Sequence, residues 1–223
     1  MKPILFNTEG VKAILDGQKT VTRRVVKKGD ADAVLSSSCR MENPDIPDYR
    51  FINCLCTAPC EIGGILYVRE TWAYGYVDTT DFECRCNECF FEELKAGTKK
   101  DSFLMPRYLY RTENLDGLNV RWRPSIHMPK EAARLFLRVT GVRVERLQDI
   151  TYEECKAEGF DGVFFEDDTE GLPAIAIRRF SRMWDSTIKK KNIGLFDWDA
   201  NPWVWVIEFE RISREEAEKE END

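Results

Sequence analysis

The pattern of hydrophobic and polar positions predicts short strands joined by few helices. Residues 3–7 are apolar enough for a first strand, and residues 8–16 carry apolar side chains at helical spacing. Gly17 supplies the stop signal for that helix. Three valines between residues 21 and 26 favour a second strand, because β-branched side chains suit extended backbone. The polar residues 17–24 therefore lie at a helix-to-strand junction, where rigid elements can hold loop side chains in place.

Further strands are predicted along the rest of the chain. Residues 65–72 have the pattern of a buried strand, and residues 108–111 and 203–209 favour two more. Between residues 135 and 147 the apolar positions alternate and then change parity. One extra residue at Gly141 explains the change as a β-bulge, a device that bends strands in barrels.

Two helices are predicted in the C-terminal half. Thr151 and Glu154 form the sequence signature of a capping box, so a short helix begins at Thr151. That helix ends at Gly159, and Glu158 falls next to this glycine. Residues 173–188 predict a longer helix with an apolar face.

Two segments show no sustained period and are predicted to be irregular insertions. They cover residues 29–64 and 73–103, and together they hold seven of the eight cysteines. Residues 122–129 form a proline-bracketed loop that is incompatible with regular helix or a central strand.

The elements together favour an α+β fold. Many short strands with few helices, plus a bulge, are typical of a small β-barrel with peripheral helices. We expect a single domain over residues 1–211, interrupted by the two cysteine-containing insertions. An acidic tail over residues 212–223 is predicted to be frayed helix or disorder.

The composition is that of a soluble globular protein, with 43% hydrophobic and 33% charged residues over 223 positions. No apolar run approaches the ~18 residues needed to cross a bilayer. The N-terminus lacks the apolar core of a signal peptide. We therefore expect a cytoplasmic protein without a membrane partner.

The net charge of −7 argues against nonspecific coating of nucleic acid, which needs a surplus of lysine and arginine. Residues 213–223 hold six carboxylates against two cations, so the tail accounts for −4 of this charge. Basic residues cluster within residues 19–28 and 121–134. These clusters fit either a local basic face or ordinary solvated charge.

His127 is the one histidine of the chain, which limits the chemistry that the sequence can support. It leaves no spare histidine for a Ser-His-Asp or Cys-His site and excludes a multi-histidine metal site. Lys19 would activate Thr20 or Thr22 if burial or nearby cations lowered its pKa from about 10.4. A carboxylic acid from elsewhere would protonate the leaving group. A plain basic turn is the alternative interpretation.

Four stretches resemble the ASCH domain family, whose members have a PUA-like β-barrel fold. One is the Gly-x-Lys-Thr-x-Thr-x-Arg motif of residues 17–24. The others are the strands at residues 64–70 and 203–209 and the helix at residues 151–159. The loop at residues 122–129 further resembles the longer, often phage-associated branch of the family.

The resemblance implies a cleft that is lined by this motif and binds RNA, a nucleoside or a nucleotide. Small bacterial members of the family include amidohydrolases that cleave N4-acetylcytidine with a lysine, a threonine and a glutamate. Matched motif to motif, these residues fall on Lys19, Thr22 and Glu158. The implied mechanism has Thr22 attacking an amide carbonyl, Lys19 acting as base, and Glu158 handling protons at the leaving nitrogen. No catalytic cofactor is implied.

A binding module without catalysis is the alternative function. Its arginines would hold phosphates and its tryptophans would stack on a base, as in readers of single strands. Aromatic residues of this kind are otherwise core residues. The candidate ligand contacts are Arg24, Arg69, Glu70, Trp72, Arg121, Trp122, Arg123 and Ser125.

The cysteines of the two insertions are spaced for a structural zinc site. Three thiolates of a Cys-x-Cys-x-x-Cys run would be joined by a fourth from a Cys-x-Cys-x-x-x-Cys run. Disulfides are the weaker explanation in a cytosolic protein. Four zinc ligands are expected among Cys54, Cys56, Cys60, Cys84, Cys86 and Cys89.

Overall fold

A computed structural model describes residues 1–78, 84–86, 104–113, 120–160 and 171–222. The helices of this part are α1 Thr8–Leu15, α2 Lys28–Leu35, α3 Ser38–Glu42, α4 Asp48–Leu55, α5 Tyr152–Ala157, α6 Leu172–Thr187 and α7 Arg214–Asn222. The strands are β1 Lys2–Leu5, β2 Val21–Val25, β3 Ile65–Arg69, β4 Trp72–Asp78, β5 Cys84–Cys86, β6 Leu104–Tyr110, β7 Phe136–Arg146 and β8 Trp203–Ile212. Within the described ranges, no helix is long and apolar enough to span a bilayer.

The strands form a mixed five-stranded sheet in the order β1-β3-β7-β8-β2 and a three-stranded sheet in the order β5-β4-β6. β1 runs parallel to β3, whereas β2 runs antiparallel to β8 and β4 antiparallel to both of its neighbours. The predicted α+β class is therefore confirmed. The described strands do not close into a barrel, so the predicted barrel is not confirmed.

The chain divides into two compact units. Unit 1 comprises Met1–Lys12, Leu66–Phe136 and Ser213–Asp223. Unit 2 comprises Ala13–Ile65 and Leu137–Ile212. The motif at residues 17–24 and the capped helix α5 both belong to unit 2, which is therefore the unit that holds the predicted catalytic residues.

In unit 1 the acidic tail forms a packed helix, α7. Ala217 is fully buried, and the Arg214 guanidinium lies 5.2 Å from the centre of the Phe136 ring. Glu221 accepts a 2.9 Å hydrogen bond from the N-terminal amine of Met1. The sequence predicts frayed helix or disorder for this tail, and the structure forms a helix whose anchoring partners are remote in sequence.

The proline-bracketed loop of unit 1 is held against the start of β4. The amide of Trp72 donates to Arg123 O at 3.2 Å, and the amide of Arg123 donates back to Trp72 O at 2.7 Å. Apart from a single 3-10 turn at Ser125–His127, the loop has no regular helix or strand, as the prolines predict. The predicted strand at residues 65–72 is divided between β3 and the first residue of β4.

The core of unit 2 forms where α5 and α6 pack against β2 and β8. Ile175, Phe180 and Trp184 lie at helical spacing on α6 and are buried, as its apolar face predicts. The Phe180 ring centre lies 6.1 Å from that of Trp184. The buried residues of this core are Val21, Leu147, Ile150, Cys155, Ala176, Phe180, Trp184, Val204 and Val206.

Residues 29–64 were predicted to be irregular, but they contain α2, α3 and α4. These helices have 8, 5 and 8 residues, so none of them sustains a hydrophobic period over the length that a pattern needs. Phe51 and Ile52 of α4 are nevertheless buried. The prediction was wrong because short helices take their stability from packing rather than from local pattern.

Gly141 lies within β7, which runs without interruption from Phe136 to Arg146. Val139 and Val144 are both buried, so burial changes parity between them as the sequence predicts. A Cβ added at Gly141 would meet Glu208 Oε2 at 2.7 Å. The glycine therefore leaves room for a carboxylate of the neighbouring strand β8.

Candidate functional site

The backbone around Lys19 is fixed from two sides. Gly17 ends α1 with a φ of +72°, in the left-handed region that favours glycine. The amide of Lys19 then donates to Ala13 O at 3.0 Å. On the other side, an isolated antiparallel bridge pairs Lys19 with Glu158. Two elements remote in sequence thus set the position of the lysine.

Glu158 lies directly after the last residue of α5. Thr151 and Glu154 form the predicted capping box at the start of this helix. Gly159 ends it with a φ of +92°, and an added Cβ there would lie 2.8 Å from Ala13 Cβ. Both ends of α5 are therefore defined by local sequence, and the glycine allows close approach to α1.

Lys19 and Glu158 form a buried ion pair. Lys19 Nζ donates to Glu158 Oε2 and, at 3.0 Å, to the backbone oxygen of the same residue. Lys19 is 7% exposed and Glu158 is 4% exposed. Burial lowers the pKa of Lys19 below its ordinary value although the Glu158 carboxylate opposes this, and the nearby Arg24 and Arg23 lower it further. Such a lysine is closer to serving as a base than an exposed one.

Arg23 connects the ion pair to two further carboxylates. Its Nη1 lies 3.3 Å from Glu158 Oε1. Its Nε and Nη2 donate to Glu145 Oε1 at 3.0 and 2.5 Å, and Nη2 lies 3.1 Å from Glu154 Oε2. Burial alone would lower the pKa of Arg23, but the three carboxylates raise it above its ordinary value. Arg23 is therefore a permanent buried cation.

Arg143 balances the negative charge of the carboxylates in this cluster that lie farther from Lys19. Its guanidinium contacts Glu154 and Glu208, and its Nε lies 3.4 Å from Glu145 Oε2. Burial opposes ionisation of Glu154, but hydrogen bonds from Thr151 and the nearby guanidiniums hold its pKa below the ordinary value. Cations and carboxylates thus alternate through the cluster, which is how buried charges are tolerated.

Thr22, on β2, is 2% exposed, and its Oγ accepts a 2.9 Å hydrogen bond from Arg24 Nη1. Arg24 also donates to the backbone oxygen of Arg23 at 3.0 Å. Strand alternation places Thr22 and Arg24 on one face of β2 and Arg23 on the other. Burial lowers the pKa of Arg24. The structure thus brings Lys19 and Glu158 into contact and gives Thr22 a guanidinium donor.

Glu70 of unit 1, a predicted ligand contact, is 1% exposed and paired with Arg134. Arg134 Nε and Nη2 donate to its two carboxylate oxygens at 2.9 and 3.0 Å, and Thr112 Oγ donates to Oε2 at 3.3 Å. The Arg134 guanidinium lies 3.9 Å from the centre of the Tyr110 ring. Burial raises the pKa of Tyr110 to about 12, so its hydroxyl stays protonated. Glu70 therefore belongs to an internal network of unit 1.

Two of the predicted stacking residues are themselves covered by arginines. The Arg123 guanidinium lies 5.1 Å from the Trp72 ring centre, and the Arg111 guanidinium lies 5.3 Å from that of Trp122. Trp72 is only 5% exposed, so it is a core residue of unit 1. Trp122 is half-buried, and Arg123 is exposed. Arginine and aromatic side chains therefore alternate at this part of unit 1.

Arg69 is held by its own unit. Its Nη1 donates to Ile126 O and its Nη2 to Tyr67 Oη, both at 3.2 Å. Its guanidinium lies 5.5 Å from the centre of the Tyr67 ring. The two remaining predicted contacts in unit 1 are the exposed Arg121 and the half-buried Ser125.

The cysteines are only partly described. Cys54 is exposed, and Cys56 and Cys60 are buried. The side chains of Cys84, Cys86 and Cys89 lie outside the described residues. Among the side chains that are described, no group of three or more metal-ligating residues is placed to hold an ion. The zinc site stays a prediction.

The residues around the ion pair that sequence reasoning missed are mostly its charged partners. The sequence places Arg23 in a basic cluster that fits a local basic face or solvated charge, but Arg23 shares with Val21 and Val25 the face of β2 that packs into the core. That parity is a signal for a buried arginine. No comparable signal marks Glu145 beside the ion pair, or Arg134 beside Glu70 in unit 1, because their partners lie far away in the sequence.

No family model, curated protein or solved structure matches the chain. A functional proposal therefore depends on three observations. These are the charge cluster of unit 2, the arginine–aromatic pairs of unit 1 and the motif at residues 17–24.

Proposed function

We propose that this chain is an ASCH-type amidohydrolase that removes an acyl group from the amine of a nucleobase, with N4-acetylcytidine as the model substrate. The observation that carries the proposal is the buried ion pair of Lys19 and Glu158. The Gly-x-Lys-Thr-x-Thr-x-Arg motif supplies both Lys19 and Thr22. The mixed sheet of the chain would then be the counterpart of the PUA-like β-barrel of that family.

The proposed mechanism requires the proton of this ion pair to pass from Lys19 to Glu158. Burial penalises charge, so a buried lysine and glutamate exchange the proton more readily than an exposed pair does. In the neutral form Lys19 is an amine and Glu158 a carboxylic acid. That form places a base beside an acid, which is the combination that amide hydrolysis requires.

In the first half-reaction, Thr22 Oγ bonds to the acyl carbonyl carbon while its proton passes to the Lys19 amine. Glu158 gives its proton to the leaving nitrogen as the carbon–nitrogen bond breaks, and the free nucleobase amine departs. Arg24 donates to Thr22 Oγ and stabilises negative charge there. This hydrogen bond uses an oxygen lone pair, so the hydroxyl hydrogen remains available for transfer.

In the second half-reaction, water attacks the ester that Thr22 now carries. The Glu158 carboxylate takes a proton from the water, and the Lys19 ammonium returns its proton to Thr22 Oγ as the carbon–oxygen bond breaks. Acetic acid is released when the acyl group is acetyl. The pair then holds one proton in the neutral form, as at the start.

The direct test incubates the purified full chain with N4-acetylcytidine and follows release of cytidine by chromatography. Thr22→Val replaces the hydroxyl by a methyl group of similar size and is expected to abolish release, whereas Thr22→Ser keeps a nucleophile. Lys27→Ala removes an exposed lysine just after β2 and serves as the matched control. Turnover by the wild type that is no faster than turnover by Lys19→Ala would contradict the proposal.

A nucleic-acid or nucleotide binder without catalysis is the second candidate. The observation that favours it is the alternation of arginine and aromatic side chains in unit 1, where the Arg123 guanidinium lies 5.1 Å from the Trp72 ring centre. Arg121 and Arg123 are exposed, and exposed guanidiniums can contact phosphates.

Binding of a labelled single-stranded RNA at increasing salt tests this candidate. A steep loss of affinity with salt, weakened further in Arg123→Gln, is the expected result. Arg182→Gln, which replaces an exposed arginine of α6, is the matched control. Absence of binding at low salt would contradict the candidate.

A further inference from the structure

The buried guanidinium of Arg23 holds three carboxylates with one planar group. Its side chain is 0% exposed, and it reaches Glu145, Glu154 and Glu158 at closest distances of 2.5, 3.1 and 3.3 Å. The donors of a guanidinium are fixed in one plane, so the directions to the three carboxylates are coupled. Movement of Arg23 would therefore move the contact to Glu158.

Two of these carboxylates are anchored without help from Glu158. Glu145 lies on β7, where its Oε2 is 3.4 Å from Arg143 Nε. Glu154 completes the capping box of α5 and also contacts Arg143. Arg23 is thus held by Glu145 of β7 and by Glu154 at the start of α5. Its Nη1 is directed at the carboxylate of Glu158, which follows α5.

The two oxygens of Glu158 have different partners. Oε2 accepts from Lys19 Nζ, and Oε1 lies 3.3 Å from Arg23 Nη1. A carboxylate with one oxygen held by a fixed guanidinium cannot rotate freely about its terminal torsion. The other oxygen is therefore kept toward the lysine.

We propose that Arg23 is a positioning residue that holds the Glu158 carboxylate in the orientation needed for proton exchange with Lys19, with Glu145 and Glu154 as its supports. The expected loss of kcat rests on the proposed function. The expected change in the orientation of the Glu158 carboxylate does not. The shape and direction of the guanidinium carry this role. Lysine at this position would keep the positive charge but lose the planar group of donors that contacts several carboxylates at once.

The test compares Arg23→Lys and Glu145→Gln with the wild type. Arg23→Lys keeps the positive charge, and Glu145→Gln keeps the size of a supporting side chain while removing its charge. Arg138→Lys is the matched control, since Arg138 pairs with an exposed glutamate of β8. Crystal structures give the orientation of the Glu158 carboxylate, thermal unfolding reports folding, and cleavage of N4-acetylcytidine gives kcat and KM.

In folded Arg23→Lys we expect Glu158 Oε2 to leave Lys19 and kcat to fall at least about tenfold with KM little changed, as misplacement of a reacting group predicts. Glu145→Gln should show the same two changes to a smaller extent. Arg138→Lys should change neither the Glu158 orientation nor kcat. An unchanged Glu158 orientation in folded Arg23→Lys overturns the proposal. So does a changed orientation with wild-type kcat.

Two further outcomes are also decisive. If Arg23→Lys does not fold, the positioning role is tested with Glu145→Gln instead. An unchanged Glu158 orientation and an unchanged kcat in that variant would overturn the proposal. If the wild type shows no turnover, the proposed hydrolase function fails. The Glu158 orientation in the variants then still supports or overturns the positioning role by itself.

Discussion

Lys19 and Glu158 are joined through their backbones and through their side chains at the same time. The two residues form an isolated antiparallel bridge, and Lys19 Nζ donates to both the carboxylate and the backbone oxygen of Glu158. They are separated by 139 positions in the sequence. The end of α5 and the junction after α1 are therefore held together at the point where the proposed proton exchange takes place.

The pKa of Lys19 is the first property to measure. We expect a value below 10.5, because burial and the nearby arginines outweigh the Glu158 carboxylate. NMR titration of the wild type against Lys19→Met assigns the signal. Glu158→Gln removes the opposing negative charge, so the pKa of Lys19 should fall further in that variant. A wild-type value at or above 10.5 would contradict this account of the pair.

The pH dependence of turnover follows from the same shift. The reacting pair holds one proton in total, and loss of that proton from Lys19 leaves no acid for the leaving nitrogen. We therefore expect kcat/KM to fall as the pH rises through the pKa of Lys19, along a limb whose midpoint lies below 10.5. Arg23→Gln removes a cation that lowers the pKa of Lys19, so the limb should move to higher pH. Arg138→Gln is the matched control and should leave the limb in place. A limb that does not move in Arg23→Gln would exclude Lys19 as the titrating group.

Gly159→Ala should destabilise the chain by about 1–3 kcal/mol, because it combines a left-handed backbone with a steric conflict. Gly159 has a φ of +92°, and the added Cβ would lie 2.8 Å from Ala13 Cβ. Urea unfolding measures the effect. Gly29→Ala is the control, since Gly29 has open space around it and lies within α2. Equal stability of both variants would show that Gly159 is not required to end α5.

Arg134→Met should be strongly destabilising, because it leaves the Glu70 carboxylate buried without its cation. Loss of one partner of a buried pair costs about 3–5 kcal/mol, and the partial exposure of Arg134 places the expectation at the lower end. The double variant Glu70→Gln with Arg134→Met should recover most of this loss. Arg138→Met removes an exposed ion pair and should cost less than about 1 kcal/mol in the same urea unfolding assay. A single variant no worse than this control would contradict the assignment of Glu70 as a structural residue.

Elements with local signals were predictable from sequence. The capping box of Thr151 and Glu154 and the stop at Gly159 are encoded within nine residues, and the structure confirms both ends of α5. Three of the residues that the sequence suggests for the core of α6, namely Ile175, Phe180 and Trp184, are buried, whereas Ile177 is only partly buried. The helices between residues 29 and 64 were missed because each is too short for a periodic pattern to show.

The charge cluster was only half predictable. A motif supplies Lys19, but Arg23 gains its partners from β7 and from Glu158 just after α5, at separations of 122 and 135 residues. No pattern in one sequence pairs charges over such distances. The sequence therefore identified individual charged residues, whereas burial and ion pairing between remote elements decided how they act.

In the proposed hydrolysis, Thr22 attacks an acyl group beside the Lys19–Glu158 pair. Rapid acid quenching of the chain with N4-acetylcytidine, followed by peptide mass spectrometry, tests it most directly. The account predicts an acetyl ester on Thr22 in the wild type, and neither ester nor cytidine release in Thr22→Val. Release of cytidine at the wild-type rate by Thr22→Val would contradict the account.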